Sequence, residues 1–383
     1  MYRISYGGAL IDEDEKKAIK RIVDTNYWPL AKEGNKMEEE AAAYLGVKYG
    51  VLANSGSSAG LLALSALELT PGSEVIIPAT TFPTIFNIIL QCGLVPVVVD
   101  TKVGTYNLDV DKLESAIGKK TKALITVHAV GNPCDMPRIM KIAKKHNLYV
   151  IEDNCDGWGS AIGGKKVGSF GDISFTSFHA AHIVAMGQGG GVFTNNKELA
   201  RKVRMYRDWG RQSDIPRRVN GKKWKELPED YDSRFIYEKI GYNLSPLELQ
   251  AAMGRIQLKK TDKIRRLRKA NFDYLFNQLS IFPDLVMPLY DDRADISWFA
   301  FPLSYWNRGA LVAHLEKNGI ETRSMFAGNI IKHPAYKNVK YRIGNKLNGA
   351  DYILKNSFWI GVHPRMNQAD REYMVKVFHD FFT

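Results

Sequence analysis

Cysteine is nearly absent: three occur in 383 residues, at Cys92, Cys134 and Cys155, with no CxxC pair. That spacing argues against a disulfide-stapled framework and a cysteine-built zinc site. It also argues against a conventional iron–sulfur cluster within one chain, which takes four thiolates. Long apolar runs are missing too. The most apolar stretch, 75–99, is interrupted by Pro78, Thr80, Thr81, Pro83, Asn87 and Gln91, and does not read as a membrane span. The opening residues Met1, Tyr2, Arg3, Ile4 and Ser5 lack the apolar core of a signal peptide, so a soluble cytoplasmic protein is expected. There are no repeats, no low-complexity tracts and no recognisable nucleic-acid module, so no nucleic-acid partner is expected. Acidic residues are outnumbered: 41 Asp and Glu face 53 Lys and Arg, a formal net charge of +12. A surplus of that kind suits an anionic partner or a solvated basic face. Eight of the basic residues fall between Arg255 and Lys269 at helical spacing, which reads as a solvated surface.

What is present points to an enzyme-sized globular chain, with 45% hydrophobic and 25% charged residues. From residue 49 onward, short β-branched runs alternate with helical patterns. Strands are expected at 49–53, 74–77, 95–99, 123–127, 148–151, 173–178 and 191–194, with helices at 59–69, near 136–143 and at 197–206. This alternation predicts an α/β domain with a mostly parallel sheet. A polar excursion over 211–235 and a long helix over 246–279 follow. A strand at 298–301 and a helix at 310–317 then suggest a smaller α+β domain. The expected division is 1–254 and 255–383.

Three segments carry candidate chemistry. NSGSSA at 54–59 lies between a strand and a helix, where small residues and free N–H groups suit a phosphate, although Ser is also an ordinary helix cap. IEDNCD at 151–156 sets carboxylates at the C-terminal end of a strand, where α/β proteins place their sites. The segment 177–191 holds His179, His182 and a GQGG turn. Two histidines at this spacing could ligate a metal, but no HExxH pattern or carboxylate partner accompanies them, and no metal site is expected.

Taken in order, these segments resemble the sugar aminotransferase family of fold-type I pyridoxal phosphate (PLP) enzymes. The likeness spans nearly the whole chain. It continues through PATTFPT at 78–84, VHAVGNPCDM at 127–136, RDWGR at 207–211 and GYNLSPLELQAA at 241–252. ETRSMFAGN at 321–329 and FWIGVHP at 358–364 complete it. The resemblance implies a fold-type I large domain with a smaller C-terminal domain. It implies that Gly56, Ser57, Ser58 and Ser177 cradle the cofactor phosphate, and that Phe82 stacks on the pyridine ring. Asp153 would pair with the ring nitrogen. Asp156 would sit near the ring hydroxyl, where many relatives carry Gln. Asn243 would reach the phosphate of a neighbouring subunit, which implies a homodimer with shared sites.

One position departs from the family pattern. Where the aminotransferases have SFxxxK, with lysine forming the Schiff base, this chain has His182 five residues after Ser177. Imidazole forms no such bond, so PLP and pyridoxamine phosphate (PMP) would be held without a covalent link. His182 resembles the nucleotide-sugar 3-dehydratase branch, as do RDWGR, LPEDYD at 227–232 and FAGN. Three scattered cysteines favour its cluster-free, GDP-sugar-like side, without an iron–sulfur cluster. The branch implies removal of the 3-hydroxyl of a nucleoside-diphosphate 4-keto-6-deoxyhexose, giving a 4-keto-3,6-dideoxy sugar, with L-glutamate regenerating PMP. His182 would be the base. Arg323, Phe326 and His333 are candidates for the substrate side, and Gln188 replaces the Glu of the usual GEGG turn. Two other readings stay open: a 4-keto sugar aminotransferase that tolerates His182, and a non-catalytic binder of cofactor and sugar nucleotide.

Overall fold

The computed structural model describes residues 3–211, 224, 226–228 and 231–383. Most of the polar stretch 211–235, with Glu229 and Asp230 of LPEDYD, lies outside the described residues. The apolar runs become β1 (Tyr49–Ala53), β2 (Glu74–Pro78), β3 (Val95–Val99), β4 (Thr121–Val127) and β5 (Tyr149–Asp153). Two short strands follow, β6 (Ala161–Ile162) and β7 (Lys165–Lys166), then β8 (Ile173–Ser177) and β9 (Gly190–Thr194). The C-terminal part contributes β10 (Ala294–Asp295), β11 (Ala300–Ser304), β12 (Thr322–Ser324), β13 (Arg342–Ile343) and β14 (Ser357–Gly361).

The main sheet has the order β1-β9-β8-β5-β4-β2-β3-β13. Its pairings are parallel except for the two made by β9. Alternation along each strand divides the core in two. Val75 and Ile77 pack with the helices Gly56–Ala66 and Pro83–Gln91, whereas Ile76 packs with Met136–Lys145. A second, antiparallel sheet, β11-β14-β12, has its own core with the helices Thr261–Leu279, Arg308–Lys317 and Gln368–Phe382. Residues 327–350 return to the main sheet: Ala327, Ile330, Tyr336 and Ala350 join its core, and β13 extends its edge beside β3.

Some expected boundaries move. The helix expected at 59–69 runs Gly56–Ala66, because the Ser55 hydroxyl accepts the Ser58 N–H and starts it earlier. The helix expected over 246–279 is two, Glu248–Lys259 and Thr261–Leu279, which meet at Lys260. There the Lys260 ammonium pairs with Asp12 and Glu15, tying the junction to the helix Glu13–Val23 and its cap. The strand expected at 298–301 begins two residues later. Trp298 is instead stacked on Phe272 at 3.8 Å, and Phe299 N–H donates to Val130 O. The basic run 255–269 is divided: Lys259, Lys263, Arg266 and Lys269 are exposed, as expected, and the others turn inward or into ion pairs. Arg255 pairs with Glu33 and Glu40, Arg265 with Asp295, Lys269 with Asp273, and Arg268 is buried. Among the described residues, no helix is long and apolar enough to cross a membrane.

Candidate active site

At the C-terminal ends of β4, β5 and β8 a cavity of about 420 Å3 opens between the main sheet and the second sheet. Parallel strands place their sites at this edge because loops and helix N-termini converge there. Gly56, Ser57, Phe82, Asp153, Asp156, Ser177, His182 and Phe326 all line it, together with Gln188. Ser58 lies one step behind, its N–H held by Ser55. Arg323 and His333 do not line it, and Asn243, expected to serve a neighbouring subunit's site, lies outside this cavity. Asn243 is exposed and bridges to Asp208. Arg323 stacks over the Tyr6 ring and pairs with Glu321, and His333 bonds the Ala327 carbonyl.

One end of the cavity is built for an anion. The helix Gly56–Ala66 points its N-terminus at it, and its first N–H groups lack intrahelical acceptors. Ser57 Oγ lies 2.7 Å from Thr84 Oγ1, so two hydroxyls stand side by side at the rim. Ser177 closes the end from β8, and a Cβ on Gly56 would come within 2.6 Å of its Cβ. Only glycine leaves this space open.

The other end is built for a flat cationic ring. Asp153 ends β5, and burial raises its carboxyl above the usual range. Cys155 N–H donates to its Oδ1 at 3.0 Å, which fixes its direction. The neighbouring carboxylate, Glu152, points to the opposite face of the strand and is structural. It accepts from the N–H groups of Gly168, Phe170 and Gly171, and from His128. Phe82 caps the helix Pro83–Gln91 and is 57% exposed, available for stacking. A phosphate cradle, a buried acid and an exposed ring within one cavity fit PLP.

His182 lies in the turn joining β8 to β9. Arg268, from the helix Thr261–Leu279, holds this turn by donating to Ala181 O at 3.0 Å and to Phe299 O at 2.7 Å. The Phe299 ring packs against the imidazole at 5.1 Å. Burial first, then the charge at His179 and Arg268, pushes the His182 pKa down to about 3, which keeps it neutral. Asp156 Oδ1 stands 3.5 Å from His182 Nδ1. Burial and the neighbouring Asp153 push the Asp156 carboxyl up to about 8.

Sequence reasoning missed Tyr6, His179, Phe299 and Trp359 as lining residues. His179 lies within the segment 177–191 and is legible there as a candidate. Tyr6, Phe299 and Trp359 reach the cavity from segments remote in sequence, and no local pattern marks them.

The geometry agrees with what the chain is similar to. A family model described as the DegT/DnrJ/EryC1/StrS aminotransferase family matches residues 9–379. The chain is 38% identical over 394 residues to a dTDP-4-dehydro-2,6-dideoxy-D-glucose 3-dehydratase of Saccharopolyspora spinosa, covering 98% of this chain and 85% of that one. It is 35% identical over 367 residues to a GDP-4-keto-6-deoxy-D-mannose 3-dehydratase of Yersinia pseudotuberculosis, covering 92% of each. A crystal structure of GDP-4-keto-6-deoxymannose-3-dehydratase with a trapped PLP-glutamate geminal diamine superposes with a TM-score of 0.90 at 28% identity, covering 98% of this chain and 100% of that one. With a fold-type I sheet and a cavity fitted to PLP, the chain belongs to the DegT/DnrJ/EryC1/StrS aminotransferase family of PLP enzymes.

Proposed function

We propose that this enzyme is a nucleotide-sugar 3-dehydratase that removes the 3-hydroxyl of a nucleoside-diphosphate 4-keto-6-deoxyhexose. One observation supports the reading: His182, which matches the family's Schiff-base lysine in sequence position, lines the cavity, and among the described residues no lysine does. A transaminase needs that amine to hold and release its cofactor; a dehydratase needs only a base.

PMP, when bound, supplies the amine for the 4-keto group and a ring that takes up electrons. The chain's own residues do the rest. Asp153 holds the proton on the ring nitrogen, and Ser57, Ser177 and the helix N-terminus anchor the phosphate. His182, neutral at working pH, takes the proton whose removal drives loss of the 3-hydroxyl, and returns one to the departing oxygen. Phe299, Trp359 and Tyr6 wall this end with rings, which keeps water from the reacting carbons. Loss of the 3-hydroxyl would leave the cofactor as PLP with its amine released as ammonia, and L-glutamate would supply the amine and the two electrons that restore PMP, leaving as 2-oxoglutarate.

The test is incubation with PMP, glutamate and a panel of GDP-, CDP- and dTDP-4-keto-6-deoxyhexoses, followed by product mass. A 4-keto-3,6-dideoxy sugar one oxygen lighter than its substrate is expected, together with 2-oxoglutarate and ammonia. An amino sugar would make the enzyme an aminotransferase, and no product with retained PMP would make it a binder.

The enzyme acts as a homodimer in which Asn243 completes the partner's phosphate site. Trp28, Trp209, Tyr237, Ile240 (96% exposed) and Leu247 are exposed near Asn243, on segments joined by the bridges Asp208 to Asn243, Arg211 to Tyr237 and Pro29 to Leu247. Such a patch is costly to leave in water. Sedimentation should show a dimer, and Asn243→Ala should weaken PMP retention without unfolding the subunit. A fully active monomer would overturn this.

A further inference from the structure

Val130 is β-branched yet has φ of +50°, a conformation that strains such a residue. Its neighbours show what the strain achieves. Val130 N–H donates to Asp156 Oδ2 at 3.1 Å, and Val130 O accepts from Phe299 N–H at 2.9 Å. One strained residue thus fixes both groups that face His182: the carboxyl opposite its Nδ1 and the ring against its face. His182 Nδ1 is itself buried and makes no hydrogen bond, while Asp156 Oδ1 waits 3.5 Å away. That separation is too long for a made bond, and catalytic bonds of this kind close when the substrate arrives.

We infer that Asp156 is the proton partner of His182. As a positioning residue, it turns the imidazole so that Nδ1 faces the carboxyl and Nε2 faces the cavity. It holds the Nδ1 proton while Nε2 takes a proton from the substrate and gives it back. This rests on the dehydratase reading for its purpose, but not for its geometry. The surroundings explain the need. An imidazole packed on Phe299 and facing the buried Arg268 cation resists becoming positively charged, and a carboxylate at Nδ1 offsets that cost. The other titratable groups around the pair are His179 on the same turn, Asp153 and Cys155 from the end of β5, and Tyr6 from the N-terminal segment. Burial raises Asp156 to about 8, so the carboxyl becomes the ionised partner that the base needs as pH climbs through that value.

The test compares wild type with Asp156→Asn, both loaded with PMP and labelled with 15N-histidine. Two-bond nitrogen–proton spectra report tautomer and titration of each imidazole, and His182→Asn assigns the signal. Asp156→Asn should shift the His182 nitrogens and remove their response to alkaline pH. Dehydration should fall on the order of a hundredfold in kcat, with little change in KM, and Asp156→Glu should recover part of it. PMP should stay bound. Unmoved His182 signals in Asp156→Asn would overturn the inference whatever the rate; if PMP is lost as well, Asp156 serves the cofactor alone. Should Asp156→Asn not fold, Asp156→Ser carries the same comparison. If wild type dehydrates no sugar nucleotide, the dehydratase reading falls, and the spectra still decide the pair.

Discussion

A neutral imidazole set in an apolar wall can accept a proton without first losing one, which an ammonium group cannot. Burial and the nearby positive charge hold His182 in that state. His182→Asn preserves shape and some hydrogen bonding but removes the titrating atom. Positioned acid–base groups contribute about 10²- to 10⁴-fold, and single-turnover dehydration should fall by that much while PMP absorbance persists. Borohydride treatment of the PLP-loaded enzyme should leave every lysine unmodified. A variant as fast as wild type would move the base elsewhere, and a reduced lysine adduct would restore covalent chemistry.

Between elements, the site depends on how closely backbones approach. Gly190 opens β9 and pairs with Ala53 of β1 and Ser177 of β8. A Cβ there would lie 2.3 Å from Ser55 O, the cap of the phosphate-facing helix. Gly190→Ala should therefore displace that helix start. The expected cost is about 1–3 kcal/mol of stability in urea unfolding, together with weaker PMP binding by titration. Gly309→Ala is the control. Nothing lies within 4 Å of its Cβ position and it begins a surface helix, so it should be neutral or slightly stabilising.

Across the whole molecule, three buried groups give the cofactor-free enzyme a pH signature. His182 and His363 fall from 6.5 to about 3 and about 4, mainly through burial. Their stability is complete above the ordinary value and is lost as pH falls toward the lowered ones. Asp156 rises from 3.8 to about 8, so its contribution is complete below the ordinary value and is lost as pH climbs through 8. Between about 6.5 and 8 the histidines no longer contribute a slope and the Asp156 loss operates; below that range the two histidines oppose the losses from Asp156 and from Asp153, which burial also raises. Thermal stability should therefore decline from about pH 6.5 to 8. Asp156→Asn should flatten the alkaline side, and His363→Asn the acid side. A profile unchanged in both variants would show that these groups do not set it.

Much of this was written locally. Apolar β-branched runs dictate buried strands, because each must leave water on both faces. NSGSSA, IEDNCD and the SF turn announce their chemistry, since phosphate cradles and strand-end acids are built from contiguous residues. The absence of lysine at 182 was equally plain. Tertiary structure alone decided what depends on distance in space. The sequence run 255–269 looks like a basic face, but folding pairs half of its cations with carboxylates and buries Arg268 behind the turn that carries His182. Tyr6, Phe299 and Trp359 become cavity walls only because the second sheet docks on the first. Asp156 meets His182 only because a strained valine, 26 residues earlier in the chain, holds the carboxyl in place. Periodicity reports which side chains leave water; it carries no record of which partners they meet.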